Sequence, residues 1–330
     1  MIDVPVVSLE SSHAPQAIDA AASMIGFLQI ADHGVPHSVI DDMRAATSAF
    51  FALPLAEKLR FESPSAEINR GYAAKGTEGL SYSVGVESPP DLFEAFNLGP
   101  ENIDTSKPWA DTLFFARNIW PEGSSVANDF RESVLNYYAH VESLAHRLTG
   151  LFAQALGMPH DYFNTYTDHS TDTLRINNYQ GAASTDAVLL PGQLGMGPHT
   201  DYGIVTVLYA DQVPGLQIRI DNSWIDVMPA ENCFLINLGD LIAEWTNDRW
   251  RSTLHRVLPP KPGVTRRSVA FFHDGNHDAL IECLPTCTSQ ANPPKYQPVV
   301  AGEHLIAKLL GPRTLQTSQI TLDTSAGRRD

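Results

Sequence analysis

Cysteine is scarce in this chain: three in 330 residues, Cys233, Cys283 and Cys287. An odd, sparse set gives no disulfide framework and suits a reducing compartment. Cys283 and Cys287 lie close together but have no second pair with which to complete a zinc site, so they read as incidental thiols. Basic residues are also few, 22 against 38 acidic, for a formal net charge of −16. That balance argues against a nucleic-acid or anionic-membrane partner, whose phosphates need a cationic surface. No apolar run is long enough to span a bilayer, and the opening "MIDVPVVSLESS" lacks the basic segment and apolar core of a targeting signal. These absences predict a cytoplasmic protein without a nucleic-acid or membrane partner; a monomer or weak oligomer is the expected state.

What the chain does have is a change of texture about halfway along. "SHAPQAIDAAASMI" reads as a helix stopped by Gly26, and "FLQIADHGVP" as a short strand and turn. In "VIDDMRAATSAFFAL", Ile40, Met43, Ala46, Ala49 and Phe50 recur at helical spacing until Pro54. Residues 60–123 are rich in Gly, Pro and Ser and read as irregular, with small strands. From Ser125 to Gly157 an apolar stripe (Phe130, Val134, Tyr137, Val141, Leu144, Leu148, Phe152) predicts one long helix. After Thr173 come seven short β-type runs, from "TLRINNY" to "RRSVAFFHD", with no helical stretch between them. That pattern favours an antiparallel sandwich or barrel, mainly β with flanking helices. Pro214–Gly215 and Asp221–Asn222 are candidate hairpin turns, and "GEHLIAKLLG" a late helix before a polar tail. The expected division is 1–123 mixed α/β, 124–160 scaffold helix, 173–275 β core and 276–330 C-terminal helix and tail, forming one unit.

Chemistry concentrates in "GPHTDYG". On a strand, positions i and i+2 share a face, so His199 and Asp201 would point one way and Thr200 the other. A third group must come from a neighbouring strand, and His255 in "STLHRVL" is the candidate. Each of these residues alone is more often structural. Together, two histidines and a carboxylate on one face of a metal suit non-haem Fe(II), leaving open positions for a chelating co-substrate and dioxygen. A turn and a strand later, Arg266 and Ser268 again share a face. A guanidinium fork and a hydroxyl suit a carboxylate. By the same alternation Phe272 faces inward with them, while Arg267 and His273 face away, Arg267 as a surface charge. His33 in a turn, and His140 and His146 on the long helix, read as ordinary histidines.

The ordered set His199-x-Asp201, His255 and Arg266-x-Ser268, with "GFLQIADHGVP", "FFALPLAEK", "NIWP" and "LRINNY", resembles the isopenicillin N synthase-like group of 2-oxoglutarate- and Fe(II)-dependent dioxygenases. The resemblance runs from about residue 2 to 275. It implies a distorted double-stranded β-helix, a jelly roll buttressed by helices, with iron between the sheets. It also implies Fe(II) on His199, Asp201 and His255, and 2-oxoglutarate with its far carboxylate on Arg266 and Ser268, assisted by Tyr179 and Asn177. Dioxygen would be the oxidant, and succinate and CO2 the co-products of hydroxylation, desaturation or ring formation on a small molecule. The N-terminal segments cover the pocket in that group, which makes Arg70, Tyr72, Tyr82, Phe93 and Phe96 candidate substrate contacts. Arg175 either lines the pocket or pairs with an acid. An Fe(II) oxidase of the same fold that needs no 2-oxoglutarate is the alternative, and a zinc hydrolase on the same three ligands a more distant one.

Overall fold

A computed structural model describes residues 3–308 apart from 66–67, 87, 111–112 and 182–188. The tail from Arg313, considered as a cover for the site mouth, and part of the stretch preceding His199 lie outside the described residues. Among the described residues, twelve strands build the two main sheets. They are β1 (Val6–Ser8), β2 (Phe27–Ala31), β3 (Gly71–Ala73), β4 (Phe93–Leu98), β5 (Thr173–Gln180), β6 (Met196–His199), β7 (Val205–Ala210), β8 (Leu216–Ile220), β9 (Ser223–Asp226), β10 (Phe234–Leu238), β11 (His255–Val257) and β12 (Thr265–His273). The larger sheet has the order β1-β2-β10-β7-β12-β5-β4-β3, and the smaller one β6-β11-β8-β9. The two form the double-stranded β-helix.

All seven β-type runs after Thr173 contain strands. Asp221 and Asn222 both take positive φ (46° and 64°), which a tight β8–β9 hairpin requires. Pro214–Gly215 differs from expectation. β7 lies in the larger sheet and β8 in the smaller, so this turn carries the chain from one sheet to the other rather than closing a hairpin. The region read as irregular, 60–123, supplies β3 and β4, which extend the larger sheet beyond β5.

Strand alternation divides the larger sheet into two functional faces. One face carries Leu28, Ile30, Phe96, Leu98, Leu174, Ile176, Val205, Val207, Phe234, Ile236, Val269 and Phe271 into a core shared with the helices. The helix Ser125–Ala155 lies on that core. Ser124 caps it by accepting the Ala127 amide, and Phe130, Val134, Tyr137, Val141, Leu144, Leu148 and Phe152 are all buried. Phe50, from the helix His37–Phe51, stacks on Phe130 with ring centroids 4.6 Å apart. The other face carries Phe27, Phe93, Ala95, Tyr179, Ala210 and Leu235 toward Met196, Leu216, Ile218 and Val257 of the smaller sheet. No helix among the described residues is long and apolar enough to cross a membrane.

The helix-side face also buries polar groups. Glu94 accepts from Lys58 Nζ at 2.6 Å, from Asn178 Nδ2 at 2.8 Å and from the Tyr72 hydroxyl. Lys58 also donates to the Phe51 carbonyl. Removing one partner of such a pair leaves an uncompensated buried charge. Glu94→Ala is therefore expected to cost about 3–5 kcal/mol of folding stability, read from denaturant melts, while Glu94→Gln, which keeps an acceptor, should cost less.

Candidate active site

The cavity lies between the sheets, has a volume of about 290 Å³, and is mostly apolar. His199 ends β6 and His255 opens β11, directly paired with it. Asp201 lies just past the strand end, where its backbone carbonyl accepts the Asp240 amide that opens the helix Asp240–Trp245. Asp201 Oδ1 is 3.9 Å from His199 Nε2 and 3.7 Å from His255 Nε2, and the three donor atoms lie within 4.8 Å of one another. One ion can bridge that spacing. All three residues are buried.

The hydrogen bonds around them suit a metal. His199 Nδ1–H donates to the Gly197 carbonyl at 2.8 Å and His255 Nδ1–H to the Thr253 carbonyl at 3.1 Å, which leaves each Nε2 lone pair facing Asp201. Burial, and then the facing His255 imidazole, push His199 down to about 3, so it stays neutral at physiological pH. Asp201 Oδ2 accepts from Thr206 Oγ1 and Asn237 Nδ2, which turns Oδ1 toward the imidazoles.

At the far end of the cavity Arg266 is 2% exposed, and its Nε and Nη1 are buried with no acceptor among the described residues. Its guanidinium carbon sits 5.1 Å over the Tyr179 ring. Ser268, Tyr179 and Asn177 are also buried and line the cavity beside it. Burial raises the Tyr179 hydroxyl above its usual value, so it remains a neutral hydrogen-bonding group. A cavity wall that buries two unmet guanidinium donors near two imidazoles and a carboxylate fits a ferrous ion with a carboxylate-bearing chelator.

The comparisons decide the family. The sequence pattern of the 2OG-Fe(II) oxygenase superfamily matches residues 170–275, and that of the non-haem dioxygenase in morphine synthesis N-terminal region matches residues 2–123. The 2-oxoglutarate-Fe(II) type oxidoreductase hxnY of Emericella nidulans is 33% identical over 86% of this chain and 80% of its own length. The chain belongs to the 2-oxoglutarate/Fe(II)-dependent oxygenases. Validamycin A dioxygenase of Streptomyces hygroscopicus subsp. limoneus is 32% identical over 92% of this oxygenase and 85% of its own length. Among solved structures, a full-length Neurospora crassa protein in complex with alpha-KG superposes with a TM-score of 0.81 at 28% identity, covering 93% of this oxygenase and 95% of that chain.

The remaining expected contacts divide. Phe272 and Arg175 line the cavity of the oxygenase. Arg175 both lines it and pairs with an acid: it donates to Glu78 Oε2 at 2.8 Å and Asn177 Oδ1 at 3.1 Å, and lies 4.9 Å over the Phe93 ring. Arg70 also lines the cavity, but its guanidinium is committed to the carbonyls of Asn69, Phe114 and Ala116. Gly99 gives it room, since a Cβ there would overlap the guanidinium. Arg70 thus clamps the wall rather than offering a hand to a ligand.

Tyr72 and Phe96 are not brought to the cavity. β4 pairs Phe93 with Tyr179 and Ala95 with Asn177, so Phe96 falls on the opposite face, against Phe50, Trp120 and Phe130. Tyr72 pairs with Phe96 and shares its side. Phe93 faces the other way, under Arg175. Tyr82 donates to the Ser88 carbonyl on a 3-10 turn and is absent from the described cavity lining. Arg267 is not a free surface charge. It is part-buried, bonded to Asn178 and to Ser48 of the helix His37–Phe51. His273, on the helix-side face as expected, is fully buried and donates to Asp172 at 3.0 Å; burial pulls its pKa down, but the Asp172 charge and hydrogen bond, with Asp274 and Glu142, together raise it.

Sequence reasoning missed Asp274 and Asp91. Asp274 lines the cavity one alternation beyond Phe272, and burial with the nearby Asp172 pushes it up to about 8. Continuing the parity from Arg266 would have found it. Asp91 accepts the Leu80 amide at 2.9 Å and the Gly197 amide at 2.8 Å, tying the 3-10 turn to β6. Burial raises it to about 7 against the opposing pull of those amides. An acid raised on folding binds a proton that the unfolded chain has lost, so this group's contribution to stability falls as pH climbs from about 4 to about 7. Melts of wild type and Asp91→Asn across that range are expected to diverge, with wild type losing about 2–4 kcal/mol relative to the variant.

Proposed function

We propose that this oxygenase oxidises an unactivated C–H bond of a small organic molecule, holding Fe(II) on His199, Asp201 and His255. The far carboxylate of 2-oxoglutarate would lie on Arg266 and Ser268, with Tyr179 and Asn177 beside it. When bound, the ferrous ion supplies dioxygen activation coupled to decarboxylation of the co-substrate to succinate and CO2. The chain's own residues orient the reactants. Thr206 and Asn237 aim Asp201, the Gly197 and Thr253 carbonyls fix the imidazole tautomers, and the Tyr179 ring supports the guanidinium. Phe272, Leu208, Leu216 and Val257 exclude water from the reacting space.

The observation that carries this reading is the pair of buried, unmet Arg266 nitrogens facing the same cavity as the triad. A zinc hydrolase would need the triad but not that anion receptor. Support for a small-molecule substrate comes from the scale of the cavity, and from the Neurospora crassa complex with alpha-KG and thymine, which covers 93% of this chain at a TM-score of 0.80. Action in the cytoplasm belongs to the same proposal, in keeping with three free cysteines. Succinate measured against oxygen consumed tests the reading. A one-to-one ratio that depends on added Fe(II) is expected, whereas oxygen uptake without succinate would point to the 2-oxoglutarate-independent oxidase.

A further inference from the structure

The cavity leaves a basic and an acidic side chain without a protein partner toward the two ends of one strand. Arg266 near the start of β12 is answered by the co-substrate in the reading above. Asp274 lies just past the end of β12 on the same cavity-facing parity, its Cα roughly 25 Å along an extended chain from that of Arg266. β12 pairs Phe272 with Thr206, the residue that holds Asp201, so Asp274 stands one step beyond the triad on the side away from Arg266. Its carboxyl group lies against Gly203, where a Cβ would collide with Oδ1.

The backbone around Asp274 is fixed. Its amide donates to Asp172 Oδ1 at 3.2 Å, the Gly275 amide donates to Ser170 Oγ at 2.9 Å, and the Thr171 amide donates to the Gly275 carbonyl at 2.9 Å. No donor hydrogen-bonds the Asp274 carboxyl group among the described residues. The two other arginines on the wall are already engaged, Arg70 by three carbonyls and Arg175 by Glu78 and Asn177. A part-buried carboxyl group held in place at a largely apolar cavity wall, with no protein donor on it, is open to a ligand that supplies one.

We infer that Asp274 is a specificity-determining residue that receives a protonated nitrogen of the primary substrate, an alkylammonium or guanidinium. The substrate N–H donates to the carboxylate, which sets a neighbouring C–H toward His199, Asp201 and His255. Charge-assisted bonds of this kind are about twice as strong as neutral ones and fix orientation as well as affinity. This inference rests on the oxygenase reading of the same cavity.

The test offers the Fe(II)- and 2-oxoglutarate-loaded enzyme matched ligands on linear, cyclic and aromatic skeletons, each as amine, N-acetyl amide, alcohol and carboxylate. Affinity is measured by calorimetry under nitrogen and turnover by succinate release in air. Amines are expected to bind on the order of 100-fold tighter than their amides. Asp274→Asn should erase that preference, raising KM for the amine far more than it lowers kcat, and Asp274→Glu should restore part of it. Melting temperatures show that the variants are folded. No amine preference in the wild type, including no binding by any member of the panel, overturns the inference, as does a preference that survives in Asp274→Asn. Failure of the wild type to bind 2-oxoglutarate would instead overturn the site assignment on which it rests.

Discussion

Replacing Arg266 by alanine is expected to weaken 2-oxoglutarate binding by at least about 30-fold, since a buried charged hydrogen-bonding partner is worth roughly 2–5 kcal/mol or more. The residue is 2% exposed, and its Nε and Nη1 find no acceptor among the described residues. In the free enzyme those donors therefore have nothing to lose and a carboxylate to gain. Arg266→Lys should recover only a fraction, because an ammonium is a point charge and cannot fork onto two oxygens. Calorimetry with 2-oxoglutarate under nitrogen reads both variants, and an unchanged dissociation constant in Arg266→Ala would remove the anion-receptor assignment. Ser268→Ala should show a smaller loss, about fivefold, as a neutral hydroxyl contributes about 1 kcal/mol.

The second large effect is expected at Asp201. With Asp201→Ala the centre keeps two imidazoles and loses its only carboxylate donor, so bound iron after dialysis should fall to background. The surrounding groups permit a graded version of the experiment. Thr206→Val or Asn237→Ala keeps the ligand but frees its orientation, and loss of such supporting bonds costs about 10–100-fold in metal affinity. Stripping metal from the wild type with a chelator should lower its melting temperature by mass action, while Asp201→Ala should show no such shift. Iron retained by Asp201→Ala at wild-type levels would place the metal elsewhere.

Much of the centre was legible because its signals are local and periodic. His199 and Asp201 sit one residue apart at a strand end, and Arg266 and Ser268 share a face by simple alternation, so each pair needed only the period of a strand. The long helix announced itself through a stripe of buried apolar residues from Phe130 to Phe152. Contacts from the first third were not legible for a physical reason. Alternation says that Phe93 and Phe96 face opposite ways, but which of them faces the smaller sheet depends on register against β5, a pairing across some eighty residues of chain. Tyr72 inherited the same ambiguity through β3. Arg267 looked like surface because its partners, Ser48 and Asn178, come from distant segments. Arg70 looked like a ligand-binding cation because two of the three carbonyls that engage it belong to a loop more than forty residues away.

The two-faced character of the larger sheet bears on how this enzyme could be re-engineered. Along β5 and β12, odd and even positions are separate compartments. Thr173, Arg175, Asn177 and Tyr179, with Arg266, Ser268, Ala270 and Phe272, touch the reaction space, whereas Leu174, Ile176, Val269 and Phe271 anchor the helices. A combinatorial library confined to Thr173, Ala270 and Phe272 would redraw substrate scope while leaving the helix-side packing intact, and a second library on Leu174, Ile176, Val269 and Phe271 would tune thermal tolerance without entering the pocket.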